Sequence, residues 1–151
     1  MHTHDIQGHL HGLFEKVDMS VSWSAVKSEA AILFALNTGD VTPHCFGGSS
    51  LHAIVMSYIH VDDKPVTLYT LLHKRENPYL ALSVQQCASV LVGVCKGLQF
   101  IHGQGFLHDI KLDNIVLGIT RNRELKPYII DFGKARRIDC GKMYTLSESE
   151  R

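Results

Sequence analysis

The segment "SVQQCASVLVGVCKGLQFIHGQG", Ser83 to Gly105, constrains the fold more than any other stretch. Ser83 with Gln86 three residues later has the form of a capping box, in which two side chains satisfy backbone groups left open by the first helical turn. Val84, Cys87, Ala88, Leu91, Val94, Cys95, Leu98 and Ile101 then recur at helical spacing as far as the glycines of "HGQG". The spacing predicts a long helix with these side chains on a buried face. It delivers the chain to "GFLHDIKLDNIVL", a short polar loop that runs straight into an apolar strand.

The other elements follow from similar patterns. "NIVL", the polar turn "GITRNREL" and "PYIIDFG" read together as a β-hairpin. Upstream, Ser24 to Leu36 carries Ala25, Ile32, Leu33 and Leu36 among helix formers and ends at "NTGD", which makes an amphipathic helix with Glu29 in its middle. "HCFGG" and "LHAIVMSYI" read as two strands joined by a Gly/Ser turn, the second too apolar to be an exposed edge. "VDDKP" breaks the pattern before a short helix in "VTLYTLLHKR". The class is α+β, with no internal repeat and no low-complexity linker.

With 151 residues the chain is one domain or a piece of a larger one. Fifteen acidic and fifteen basic residues cancel, so no global field draws it to nucleic acid or to an anionic membrane. No uninterrupted apolar run approaches the roughly 20 residues of a bilayer span. "MHTHDIQGHLHGLFEK" has neither the order of a signal peptide nor the composition of a transit peptide, so a cytoplasmic address is expected. Cys45, Cys87, Cys95 and Cys140 form no C-x-x-C pair and are expected as reduced thiols, Cys87 and Cys95 on the buried helix face. His2, His4, His9 and His11 crowd the start without a Cys or carboxylate set beside them, which favours a solvated terminus over a metal site.

The polar loop carries the chemistry. Asp109, Lys111 and Asn114, followed by Asp131-Phe132-Gly133, resemble the signature of eukaryotic-type protein kinases, in which a catalytic Asp precedes an Asn at this offset and a D-F-G follows. The resemblance implies a two-lobe protein-kinase-like fold, incomplete at both ends. In the family, phosphoryl transfer leaves the protein the work of orienting a hydroxyl and neutralising phosphate charge. Asp109 would then accept or orient the substrate hydroxyl proton, Lys111 would balance charge near the transferring group, and Asn114 and Asp131 would give oxygen ligands to Mg2+.

Further upstream, "SEAAILFAL" is similar to the family's small-lobe helix. That makes Glu29 the partner of the ATP-binding lysine and Leu33 a packing contact of Phe132. Lys16, in "GLFEK", is the lysine nearest the required place. "AIVMSYI" looks like the strand that enters the hinge, with Met56 as gatekeeper, Ser57, Tyr58 and Ile59 lending backbone groups to adenine, and Val116 as the adenine floor.

Departures from the family pattern are equally specific. The residue that normally separates the loop His from the catalytic Asp is missing from "FLHDIK". Either His108 occupies the slot of that residue and Leu107 that of the His, or the loop is shorter. No glycine-rich G-x-G-x-x-G loop and no A-P-E occur. The expected organisation is a remnant of the N-terminal lobe over residues 1–58, a hinge at 58–64, the first half of the C-terminal lobe at 65–138 and a truncated activation segment at 139–151. Lacking the later helices, the long helix would expose apolar surface. The implied function is ATP-dependent phosphorylation of protein hydroxyls, with Lys111 favouring Ser/Thr over Tyr. The alternatives are a pseudokinase or kinase fragment that acts as a partner-binding module, and an incomplete gene product.

Overall fold

A computed structural model describes residues 13–17, 22–49, 53–73 and 82–138, with only the backbone described at 13–17. The histidine-rich start, Cys140 and the segment 139–151 lie outside these residues. Three strands form the first sheet: β1 (Leu13–Val17), β2 (Cys45–Ser49) and β3 (Ala53–Ser57), in the order β1-β3-β2 and all antiparallel. β3 is central, as its apolar sequence requires. Helix α1 (Trp23–Leu36) packs on this sheet, opened by Ser22, whose side chain accepts from the Ala25 N–H. Its buried stripe is Val26, Glu29, Leu33 and Leu36, so Ala25 and Ile32, expected on that face, stand at its margins. The helix closes through a 3-10 turn at Asn37–Gly39 and a left-handed Asp40.

After β3 the chain makes a tight turn in which Val61 and Lys64 exchange backbone hydrogen bonds of 2.9 and 3.1 Å. Asp62 and Asp63 both have positive φ at its corner. A short strand β4 (Val66–Thr67) and helix α2 (Leu68–His73) follow, then α2 gives way to the long helix α3 (Val84–Gly103). Its capping box at Ser83 and Gln86 is present in both directions. Strand β5 (Phe106–Leu107), a 3-10 turn at Leu112–Asn114, the hairpin β6 (Ile115–Ile119) and β7 (Leu125–Ile129), and β8 (Arg136–Arg137) complete the described chain. β4 adds to the hairpin in the order β4-β6-β7, while β5 pairs with β8.

The face of α3 agrees with the expected one only in part. Val94 and Ile101 are buried as expected, together with Val90 and Gly97, whereas Val84, Cys87, Ala88, Leu91 and Cys95 are exposed. Glycine explains the offset. A side chain at Gly93 would meet the Pro127 ring at 2.7 Å and one at Gly97 would meet Ile129 at 3.1 Å, so small residues let α3 lie close against β7. The helix is also apolar on both sides, with 20 residues of sufficient mean hydropathy to cross a membrane by length and composition. The single-run criterion overlooked it. Its inner face is nonetheless in the core of the fold.

Two clusters make up that core. One joins α1, β2 and β3 to Ile101, Phe106, Ile129 and Phe132, and so ties the first sheet to the elements after α3. The other holds Val61, Val66, Leu68, Val90, Val94, Ile115 and Leu117. Polar contacts reinforce the first junction: the Ile129 N–H donates to the Val41 carbonyl at 2.9 Å, and Lys126 pairs with Asp40. Cys45 lies buried there, where burial pushes its thiol above the ordinary range against the lowering influence of the Gly47 backbone.

Candidate functional site

A cavity of about 500 Å³ opens where β3, the turn after it, α1 and the hairpin converge. Its walls include Glu29, Met56, Ser57, Tyr58, Ile59, Asn114, Val116 and Asp131. These residues are far apart in sequence, and every one was singled out from the sequence. Leu33, Pro43, Pro65, Asp113 and Ile130 also line it. Of these only Leu33 was anticipated, as a contact of Phe132, and the two share one core cluster. The prolines carried no signal beyond breaking strands. A cavity of this size falls in the range of small-molecule sites.

One wall of the cavity is formed by the strand end and the turn. Met56 and Val116 are buried, on β3 and β6. Ile59 makes no backbone hydrogen bond among the described residues, so its N–H and carbonyl remain open to a ligand. At Ser57 the N–H and the hydroxyl have partners within the fold. Its N–H donates to the His44 carbonyl at 2.9 Å and its hydroxyl accepts from the His44 N–H at 2.8 Å, so both groups are already engaged.

The opposite wall carries the oxygen atoms. The 3-10 turn at Leu112–Asn114 buries Asn114 and directs its Nδ2 to the Asp109 carbonyl at 3.0 Å. Its amide oxygen accepts no hydrogen bond among the described residues. Asp131 follows β7 in a left-handed conformation, φ 63°, which an Asp tolerates better than most residues. A Cβ placed on Gly133 would lie 3.5 Å from Asp131 Oδ1 and 3.7 Å from Glu29 Oε2, so both carboxylates flank that glycine. Amide and carboxylate oxygens are the donor chemistry that Mg2+ prefers, and the residues present fit it.

Two contacts hold the D-F-G turn. Glu29, buried on α1, accepts the Phe132 N–H at 3.1 Å. His108 places Nε2 3.0 Å from the carbonyls of both Ile130 and Asp131, with its ring 4.6 Å from that of Phe132 in an edge-on arrangement. It is therefore His108, and not Leu107, that reaches the turn, and the shortened loop is the arrangement found. Leu107 instead pairs with Arg136 in the β5–β8 ribbon. Burial holds the His108 imidazole below its ordinary value of 6.5, against the raising influence of the two carbonyls and of the Asp131 and Asp109 carboxylates. Its Nδ1 is buried without a partner, which fits a neutral ring donating from Nε2.

Asp109 and Lys111 are exposed and are not part of the cavity wall. Asp109 is tied to it through Asn114, and its carboxylate lies 3.9 Å from the Lys134 ammonium. Lys16 sits on β1 in register with Ile54 of β3. Its side chain lies outside the described residues.

The protein kinase domain family matches residues 16–150. The chain is similar to a dual serine/threonine and tyrosine protein kinase of Pimephales promelas, 34% identical over 98 residues, which cover 63% of this chain and 9% of that protein. It is 32% identical over 113 residues to a probable serine/threonine-protein kinase of Corynebacterium efficiens, covering 74% of this chain and 15% of the relative. With the serine/threonine-protein kinase pelle of Drosophila melanogaster it shares 36% identity over 88 residues, 48% of this chain and 17% of the relative. The chain thus spans only a small part of the length of these relatives.

Proposed function

The chain belongs to the protein kinase family, and on that premise we propose that its cleft binds ATP with Mg2+ and serves phosphoryl transfer to Ser/Thr hydroxyls of a protein substrate in the cytoplasm. The observation that carries this reading is the convergence of Glu29, Met56, Ile59, Asn114, Val116 and Asp131 on one cavity of suitable volume. Met56 and Val116 would bracket the adenine, and Tyr58 and Ile59 would offer it backbone groups. Bound Mg2+ would neutralise phosphate charge, held by the Asn114 amide oxygen and the Asp131 carboxylate.

The remaining roles fall to residues around the cleft. Asp109, held by the Asn114 bond to its carbonyl, would accept or orient the proton of the substrate hydroxyl. Lys111 would balance charge beside it. Glu29 would receive Lys16, while its bond to Phe132 keeps α1 seated against the D-F-G turn.

A direct test titrates a fluorescent ATP analogue with and without Mg2+ against the chain and its Asp131→Asn variant. Binding that strengthens with Mg2+ in the parent and ignores it in the variant is expected. Equal metal dependence in both would exclude Asp131 as a ligand. One observation favours a second reading, a non-catalytic partner-binding module: Val84, Leu91 and Val92 are exposed on one apolar side of α3. Phosphotransfer abolished by Asp109→Asn rules in favour of the enzyme.

A further inference from the structure

A second cavity, of about 440 Å³, lies behind the first. Tyr58 and Ile59 line both, so the segment that follows β3 forms a wall common to the two. Beyond this shared wall the second cavity is framed by His60, the Asp62–Asp63 corner, Gly118 and Tyr128. Nothing in the proposed nucleotide reading uses it.

Its chemistry is that of a cation receptor. The rings of Tyr58 and His60 stack at 5.3 Å, with planes 24° apart, and form a flat aromatic platform. Tyr128 stands across from the corner on β7 and already attracts one cation, Lys126, whose ammonium lies 4.9 Å from its ring centre. The backbone that carries the two exposed carboxylates at the rim is held, because Val61 and Lys64 exchange hydrogen bonds across the turn and both Asp residues adopt left-handed backbone. The Asp63 carboxylate lies 3.8 Å from His60 Nδ1, beyond hydrogen-bond reach. Two carboxylates and π faces together favour a positive, hydrogen-bond-donating ligand and repel an anion. No group of three His, Cys, Asp or Glu among the described residues is arranged to hold a metal ion.

The geometry points to a binding site for the guanidinium of an arginine side chain, presented by a peptide or protein segment, in the cavity bounded by Tyr58, His60, Asp62, Asp63, Gly118 and Tyr128. A planar guanidinium stacks on the aromatic platform while its fork donates to the carboxylates, a combination that a compact ammonium cannot make as well. The stem would lie along Ile119, an exposed apolar residue of the same cavity. Because the occupant touches Tyr58 and Ile59 from behind, it contacts the wall of the first cavity without entering it.

The test needs no nucleotide and so stands or falls separately from the kinase reading. The full chain, isotopically labelled, is titrated with N-acetyl-arginine amide while the amide signals of Ile59 and Gly118 are followed by NMR. Saturable shifts with Kd on the order of 1 mM, a scale set by a few contacts, are expected. N-acetyl-citrulline amide, which keeps the shape and lacks the charge, should give no saturable shift. Asp62→Asn with Asp63→Asn should weaken arginine binding about fivefold or more, and the fold should persist because Asn accepts the left-handed turn. Gly118→Val should block the site, since a Cβ there already approaches Ile59 and Tyr128 to 3.0 Å. Equal shifts with citrulline, undiminished binding by the double Asn variant, or no saturation at either amide would overturn the assignment.

Discussion

Glu29 Oε1 accepts a hydrogen bond from the backbone N–H of Phe132 at 3.1 Å, joining two residues 103 positions apart in the chain. Helix α1 and the D-F-G turn are thereby fastened at a buried point beside the cleft. Glu29 is 7% exposed and Phe132 1%, so the bond lies where little water reaches. An unsatisfied buried donor costs more than the bond itself contributes.

The first prediction follows from that asymmetry. Glu29→Ala leaves the Phe132 N–H without this acceptor and should lower unfolding free energy by about 1–3 kcal/mol. Glu29→Gln keeps an acceptor oxygen and should lose less than half as much. Urea unfolding of both variants decides it, and equal losses would show that the Phe132 bond contributes little.

The second concerns pH. His108 is held below its ordinary 6.5 by burial, so the folded state binds this proton less readily than the unfolded chain does. Its contribution is therefore complete above pH 6.5 and is lost as pH falls from there through the lowered folded-state value. Protonation would also force a buried N–H onto Nδ1, which has no acceptor. An NMR titration should place the His108 midpoint below 6.5, and His108→Gln should flatten the fall in stability between pH 7.5 and pH 5.5. A midpoint above 6.5 would refute the buried neutral ring.

Close packing at glycine gives a third, with a built-in contrast. A Cβ at Gly39 would meet the Phe100 ring at 2.1 Å, whereas one at Gly103 would meet nothing within 4 Å. Gly39→Ala should destabilise by about 1–3 kcal/mol through overpacking. Gly103→Ala, at the last turn of α3, should be neutral or stabilising by up to about 1 kcal/mol, because alanine is the better helix former. Thermal or urea midpoints that move the two variants in the same direction would contradict this pairing of causes.

The same packing explains what was legible in the sequence and what was not. Caps and turns could be read because Ser83 with Gln86 and the break at "NTGD" act through neighbours in sequence. The cleft residues could be read because their spacing along the loop and in D-F-G is itself the signal. The buried face of α3 could be read only in part, at Val94 and Ile101. Leu91 and Cys95 fit a helical period as well as Val90 and Val94 do, and only the approach of Pro127 and Ile129 to Gly93 and Gly97 selects between them. At Ser57 the N–H is claimed by His44, a partner from the adjoining strand segment that no local pattern announces. Contacts between segments distant in sequence decide such cases, and no local pattern records them.

The last prediction separates two duties of Asn114. Its Nδ2 donates to the Asp109 carbonyl at 3.0 Å and so fixes the loop, while its oxygen remains for Mg2+ in the proposed mechanism. Alanine removes both. Asn114→Ala should lower stability by about 1–2 kcal/mol, the value of a buried hydrogen bond and its orphaned acceptor, and should also lose Mg2+-dependent nucleotide binding. Aspartate removes only the first, because it keeps an oxygen ligand and gains charge but sets an acceptor against the Asp109 carbonyl. Asn114→Asp should therefore be destabilised at least as much as the Ala variant and yet retain metal-dependent binding of the ATP analogue. The two readouts, urea unfolding and analogue titration with and without Mg2+, must come apart in Asp and fall together in Ala. An Ala variant that binds the analogue with undiminished metal dependence would remove Asn114 from the metal site and leave it as the clamp on Asp109.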